Sequence, residues 1–262
     1  RLMENLLTRF AQKMETRSSS LRLRPLSEQD VSIRKLKPKK SSGFDDISQE
    51  LLRQVSSVVK LPLKCIINAS IRSGVFPSKW KLSKTIALHK KGDHLEPSNY
   101  RPVSCLPSAS KVLESVIHEQ LSGYFESNNL LPQGQHGFRR GRSTTTALAS
   151  MIAEWSANYD AGQNTDVLLW DLSAAFDTID TEILCQKLKI YGVEADSVAW
   201  FRSYLTAQRQ QVKVGDCVSK VAEFTVGCPQ GSILAPLLFI IYVSDMELWL
   251  KNSSVHGYAD DT

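Results

Sequence analysis

Cysteine is sparse and scattered, with five residues at positions 65, 105, 185, 217 and 228 and no CxxC pair. That spacing excludes a zinc knuckle and a disulfide framework, so a reducing compartment is expected. Apolar runs long enough to cross a membrane are also missing. The longest, Leu234 to Val243, is broken by Pro236. Neither GxGxxG nor GxxxxGK followed by Ser or Thr occurs, which argues against a dinucleotide-binding fold and a P-loop NTPase. The five histidines fall at 89, 94, 118, 136 and 256 with no metal-ligand spacing. No internal repeat or low-complexity tract stands out. The chain opens Arg1-Leu2-Met3 with no signal peptide, and both ends read as cuts.

What is present is a charge division. The formal net charge of +5 splits into 25 Lys/Arg against 12 Asp/Glu in residues 1–150 and 7 against 15 in residues 151–262. A lobe at +13 suits a polyanion, whereas a lobe at −8 repels one unless cations neutralise its carboxylates.

The pattern of elements predicts an α+β layer architecture. Residues 1–24 are polar and basic and read as a linker or the tail of an upstream region. Ser27 is placed as the N-cap of a short helix reaching Leu36. One or two helices are expected over 47–73, interrupted near Pro62. A strand over 84–90 and a return strand from Tyr100 suggest a hairpin. Helices are predicted at 110–128, with Val112, Val116, Leu121, Tyr124 and Phe125 inward, and at 144–159. The apolar run Val167 to Trp170 predicts a buried strand ending in Asp171. Further helices are expected at 179–188 and 198–206, then a hairpin around Gly215-Asp216. A long apolar helix is placed from Ser232 to about Asn252, kinked or started near Pro236.

Two acidic features stand out against this frame. Tyr258-Ala259-Asp260-Asp261 places adjacent carboxylates after a short apolar run, where alternation would point them apart unless a turn intervenes. Asp171 ends an earlier strand. If the two strands are neighbours, three carboxylates can hold two magnesium ions about 4 Å apart. The alternative is a set of acidic strand ends that merely solubilise a sheet edge. Phe176 reads either as the floor of a sugar pocket or as an ordinary core ring. Lys90 and Arg101 flank one loop and could clamp a triphosphate, the arginine bidentately; a solvated basic turn is the bland alternative. Arg139, Arg140 and Arg142 share a glycine-rich loop that suits phosphate contacts or a plain surface. Gly227 to Ser232 precedes a helix, and its Gln230 and Gly231 fit close approach to a base or sugar, or a helix cap.

Taken in order, these pieces resemble the reverse transcriptase of a non-LTR, LINE-type retrotransposon. The stretches that carry the resemblance are Ser98 to Ser104 (SNYRPVS), His136 to Thr144 (HGFRRGRST), Asp171 to Asp177 (DLSAAFD), Pro229 to Leu234 (PQGSIL) and Tyr258 to Asp261 (YADD). Lys40 to Ile47 is similar to the family's N-terminal finger motif. The resemblance implies a right-hand polymerase fold, with residues 25–165 mainly fingers and 166–262 mainly palm, the palm incomplete and the thumb missing. It implies RNA-directed DNA synthesis from dNTPs with two Mg²⁺ ions, Mn²⁺ being a possible substitute. An RNA template and a DNA primer or nicked target DNA would be the partners, in the nucleus and cytoplasm and with no membrane.

By the same resemblance Asp171, Asp260 and Asp261 are catalytic metal ligands, Phe176 a steric gate and Gln230 a dNTP- and template-side contact. Lys90 and Arg101 grip the triphosphate; Arg139, Arg140, Arg142 and Gly231 face nucleic acid. Departures are Phe44-Asp45-Asp46 for the commoner Pro-Asp-Gly, Cys228 for valine and Ala235 for glycine. The expectation for the isolated segment is little or no polymerase activity, the competing readings being a non-catalytic nucleic-acid-binding remnant and a two-metal nuclease.

Overall fold

The computed structural model describes residues 2–14, 19–27, 33, 36–172, 175–229, 231–250 and 253–259. The short helix expected between Ser27 and Leu36 lies largely outside these residues. Eight α-helices are described: α1 (Leu2–Met14), α2 (Gln49–Gln54), α3 (Ser56–Ser73), α4 (Ser108–Ser127), α5 (Thr144–Asp160), α6 (Thr181–Ile190), α7 (Ala195–Leu205) and α8 (Ala235–Val243). The strands are β1 (Leu82–His89), β2 (Tyr100–Cys105), β3 (Gln208–Val214), β4 (Cys217–Val218) and β5 (Ala222–Phe224). They form one mixed sheet in the order β2-β1-β3-β4, with β5 pairing the start of β3. The α+β expectation holds. No described helix is long and apolar enough to cross a membrane.

The core is aromatic and lies between α4, α6, α7 and α8. Trp200 stacks on Tyr204 with ring centroids 5.6 Å apart, and Phe76 meets both edge-on. Polar ends of these rings find partners, as buried Tyr and Trp require. Trp200 donates to Ser70 Oγ at 2.9 Å, and the Tyr191 hydroxyl donates to Ser244 Oγ at 2.6 Å. All five inward residues predicted for α4 are buried.

Several expectations need correction. Residues 2–14, read as a linker or the tail of an upstream region, form α1, which buries Phe10 against Tyr191, 5.1 Å between centroids. Leu6, Phe10 and Met14 recur every four residues, a helical stripe that the polar composition hid. The following segment docks too, since Leu21 N–H donates to Gly192 O and Glu194 N–H to Leu21 O, both at 2.9 Å. The break after α2 falls at Val55, and Pro62 sits inside α3. The apolar helix α8 ends at Val243 rather than near Asn252. There the Lys187 ammonium donates to Tyr242 O and pairs with Asp245 at 2.6 Å, so side-chain groups take over from the helical ladder.

The largest correction concerns 167–170. No strand forms there, and Val167, Leu168, Leu169 and Trp170 are 51%, 71%, 78% and 47% exposed. A run becomes a strand only where a neighbour supplies ladder partners, and among the described residues none pairs along this one. The departure at Phe44-Asp45-Asp46 has a local explanation. Asp46 adopts φ +52°, the left-handed region that favours glycine and that Asp tolerates better than most residues. Asp45 Oδ1 accepts from Ile47 N–H at 3.3 Å.

Candidate nucleotide and metal site

The β1–β2 hairpin sets the orientation of the first two cations. Leu88 lies opposite Arg101 in the antiparallel register, so those two side chains share a face. Lys90 is two residues beyond Leu88 and lies on that same face, its N–H donating to Asn99 O at 2.8 Å. Lys90 and Arg101 are exposed and border a cavity of about 730 Å³ whose other walls include Tyr100, Phe176, Gly231 and Pro236. That volume lies in the range of ligand pockets, roughly 300–1,000 Å³.

Phe176 is half-buried, packed against Phe239 at 5.4 Å and met edge-on by Phe138 at 6.2 Å. It therefore belongs to the core and to the cavity at once. Both glycines of the 227–231 loop are close-approach residues. A Cβ on Gly231 would meet Ser104 O at 2.7 Å, and one on Gly227 would meet Asp177 Cα at 2.8 Å. Cys228 N–H donates to Phe176 O at 2.8 Å. The loop is thus pinned between β2 and the Phe176 turn. Asp180 caps α6, accepting from Glu182 N–H and Ile183 N–H.

Beneath the loop lies a group that sequence reasoning missed. Glu114 of α4 is fully buried and accepts from Ser110 Oγ at 2.6 Å, Ser232 Oγ at 2.8 Å and Ile233 N–H at 2.7 Å. Tyr204 Oη lies 2.5 Å from Ser232 Oγ. Burial raises the Glu114 carboxyl pKa, and the three hydrogen bonds oppose that shift. A glutamate among apolar helix positions is the signal that could have exposed it.

The glycine- and arginine-rich loop makes internal contacts that its composition did not announce. Gln135 and Gly257 form a parallel bridge, with His136 N–H donating to Gly257 O at 2.7 Å and Gly257 N–H to Gly134 O at 2.9 Å. A Cβ on Gly134 would overlap Val255 O, and one on Gly137 would overlap Ala259 N. These glycines admit the 255–259 backbone. Arg139 forms a fork with Glu126 at 2.8 and 3.1 Å, its side chain 6% exposed. Arg142 donates to Gln133 Oε1 at 3.0 Å and to Gln133 O. Arg140 is exposed. Of the three arginines, the structure leaves Arg140 facing solvent and engages the other two internally.

On the opposite side, Glu154 of α5 accepts from Ser254 Oγ at 2.5 Å and His256 Nε2 at 2.7 Å. Those hydrogen bonds, Ser254's first, lower the Glu154 pKa. A hollow of about 360 Å³ opens between α5, residues 164–170 and residues 253–256. Asp171 is exposed at the end of that apolar run. Gln230, Asp260 and Asp261 lie outside the described residues, and no cluster of three metal-ligating side chains occurs among those described. The donor set nonetheless suits a hard cation, because all three aspartates offer carboxylate oxygens. Asp171 itself sits in an isolated β-bridge.

The sequence profile of the reverse transcriptase (RNA-dependent DNA polymerase) family matches residues 88–262. The chain belongs to the reverse transcriptase family. Relatives include the probable RNA-directed DNA polymerase from transposon BS of Drosophila melanogaster, 31% identical over 87% of this chain and 25% of the relative. The corresponding protein of the X-element from the same organism is 33% identical over 79% of this chain and 23% of its own length. The polymerase of the mobile element jockey is 29% identical, covering 90% and 27%. The chain thus spans about a quarter of the curated relatives it matches. The resemblance to non-LTR element reverse transcriptases, drawn from short ordered motifs, is borne out over most of the chain.

Proposed function

We propose that this chain provides the nucleotide- and metal-binding part of an RNA-directed DNA polymerase that copies an RNA template by extending a DNA primer or a nicked target end with dNTPs. The observation that carries the reading is the cavity that gathers Lys90 and Arg101 of the β1–β2 hairpin with Phe176 and Gly231 from two separate later motifs. Residues 25–165 would serve mainly as fingers and 166–262 mainly as palm.

In this reading Arg101 holds the triphosphate bidentately and Lys90 neutralises it as a point charge. Phe176 lies under the sugar, where its ring leaves no room for a 2′-hydroxyl. Gln230 and Gly231 approach the incoming base and template. Arg140 contacts template phosphate, whereas Arg139 and Arg142 support the loop that carries it. Asp171, Asp260 and Asp261 would hold two magnesium ions, or manganese in their place. Bound metal supplies activation of the primer 3′-hydroxyl and neutralisation of the leaving pyrophosphate. The three carboxylates carry that charge in a lobe that would otherwise repel nucleic acid.

The test is binding of a dNTP, with Mg²⁺ and a primed RNA template, to the wild-type protein and to Lys90→Ala, Arg101→Ala and Phe176→Val variants. The first two should weaken dNTP binding, and the third should admit the matching ribonucleotide. Wild-type affinity and selectivity in all three would show that the cavity is not the nucleotide site.

A further inference from the structure

The Tyr258-Ala259 backbone is held by one side chain in an unusual way. Gln135 is 7% exposed. Its Oε1 accepts from Ala259 N–H at 3.1 Å and its Nε2 donates to Ala259 O at 3.2 Å. A side-chain amide therefore makes both hydrogen bonds that a neighbouring strand would make to one residue. The same Oε1 accepts from the loop's own Gly137 N–H at 2.8 Å, which locks the amide's orientation.

Ala259 needs such a clamp. Its φ is +63°, a left-handed conformation that costs a non-glycine residue about 1–2 kcal/mol. Strained backbone persists only where its surroundings determine it, and it gathers at functional sites. The surroundings here are specific: Gly137 lies against Ala259 N, Gly134 against Val255 O, and the main chain bridges Gln135 to Gly257. The next residues in sequence are Asp260 and Asp261.

We propose that Gln135 is a positioning residue. By gripping both backbone groups of Ala259 it stabilises the left-handed turn that immediately precedes Asp260 and Asp261 in sequence. This rests on reading those aspartates, with Asp171, as the metal-binding carboxylates. Supporting residues one shell out from a metal typically contribute roughly 10–100-fold in affinity.

The experiment titrates the 262-residue protein with Mn²⁺ alone, by calorimetry or electron paramagnetic resonance, and follows amide hydrogen exchange at Tyr258 and Ala259. Five proteins are compared: wild type, Gln135→Met, which keeps the bulk and removes both hydrogen bonds, Gln135→Glu, Asp171→Asn, and Leu121→Ala as a destabilised control. Gln135→Met should bind Mn²⁺ roughly 10–100-fold more weakly and exchange faster at Ala259. Leu121→Ala should lower the melting temperature with no change in Mn²⁺ affinity. Gln135→Glu, which keeps the acceptor, should recover part of the affinity. If Asp171→Asn abolishes binding while Gln135→Met binds as wild type, the inference about Gln135 fails and the metal site stands. If Asp171→Asn binds Mn²⁺ as wild type, the carboxylate site itself fails, and the role given to Gln135 with it.

Discussion

The cavity beside Lys90 and Arg101 and the crevice beside Val167 to Trp170 are built to different standards. The cavity rests on buried support: Glu114 and Tyr204 converge on Ser232, and α8 beneath is apolar throughout. The crevice is bordered by Val167 to Trp170, a run of four large apolar side chains that stand in solvent. Where a site is carried by helices and a hairpin, each element finds its partners within the described chain. Where it would be carried by a strand, the backbone needs a second strand beside it, and along residues 167–170 none is paired among the described residues.

Truncating equivalent side chains on the two sides should sharpen the contrast most. Leu238 is fully buried in α8, and Leu238→Ala should cost about 2–5 kcal/mol in urea denaturation. Leu169 is largely exposed, and Leu169→Ala should stay within about 0.5 kcal/mol of wild type. Comparable losses would mean that the apolar run is buried in solution.

Next in size is the difference between two arginines that look alike in sequence. Arg101→Ala removes a charge-assisted hydrogen bond of roughly 1.5–3 kcal/mol, so dNTP affinity should fall roughly 10–150-fold with the melting temperature unchanged. Arg139→Ala should do the reverse, lowering the melting temperature through its lost fork with Glu126 and leaving dNTP affinity as it was. Thermal unfolding beside equilibrium dNTP titration separates the two.

Glu114 gives a pH signature to the supported side. Burial raises its folded pKa, so the folded protein keeps a proton that the unfolded chain releases above about pH 4.3. Stability from this group is therefore full below that pH and declines as pH rises through the folded value. Glu114→Gln cannot lose the proton, so its stability relative to wild type should improve with rising pH across that window. Parallel pH profiles for the two proteins would remove Glu114 from the account.

The smallest expected effect is at Arg140, the solvent-facing arginine of its loop. Arg140→Ala should reduce the slope of log affinity for single-stranded RNA against log salt by about 0.7. Arg142→Ala, already engaged by Gln133, should leave the slope near wild type.

Legibility in the sequence followed the range of the interactions. Local signals were reliable: the α4 stripe and the hairpin around Lys90 and Arg101 both depend on residues close to each other in sequence. What could not be read was which distant backbone a loop touches. Gly134 and Gly137 announced close approach, but nothing local said that the approaching chain was 255–259 rather than a phosphate. Arg139 carried the same difficulty, because its partner Glu126 lies 13 residues away on α4. The Val167 to Trp170 run had strand composition, and composition cannot supply a ladder partner. Glu114 and Gln135 were overlooked because each works through buried contacts more than 100 residues distant.

Primer extension tests the central claim most directly. The protein that carries this chain would be given a primed RNA template, dNTPs and Mg²⁺, wild type against Asp171→Ala at matched melting temperature. The account predicts that the wild type adds nucleotides directed by the template and that Asp171→Ala loses at least about 100-fold, the scale of one removed charge-stabilising group. Extension by Asp171→Ala at the wild-type rate would contradict it.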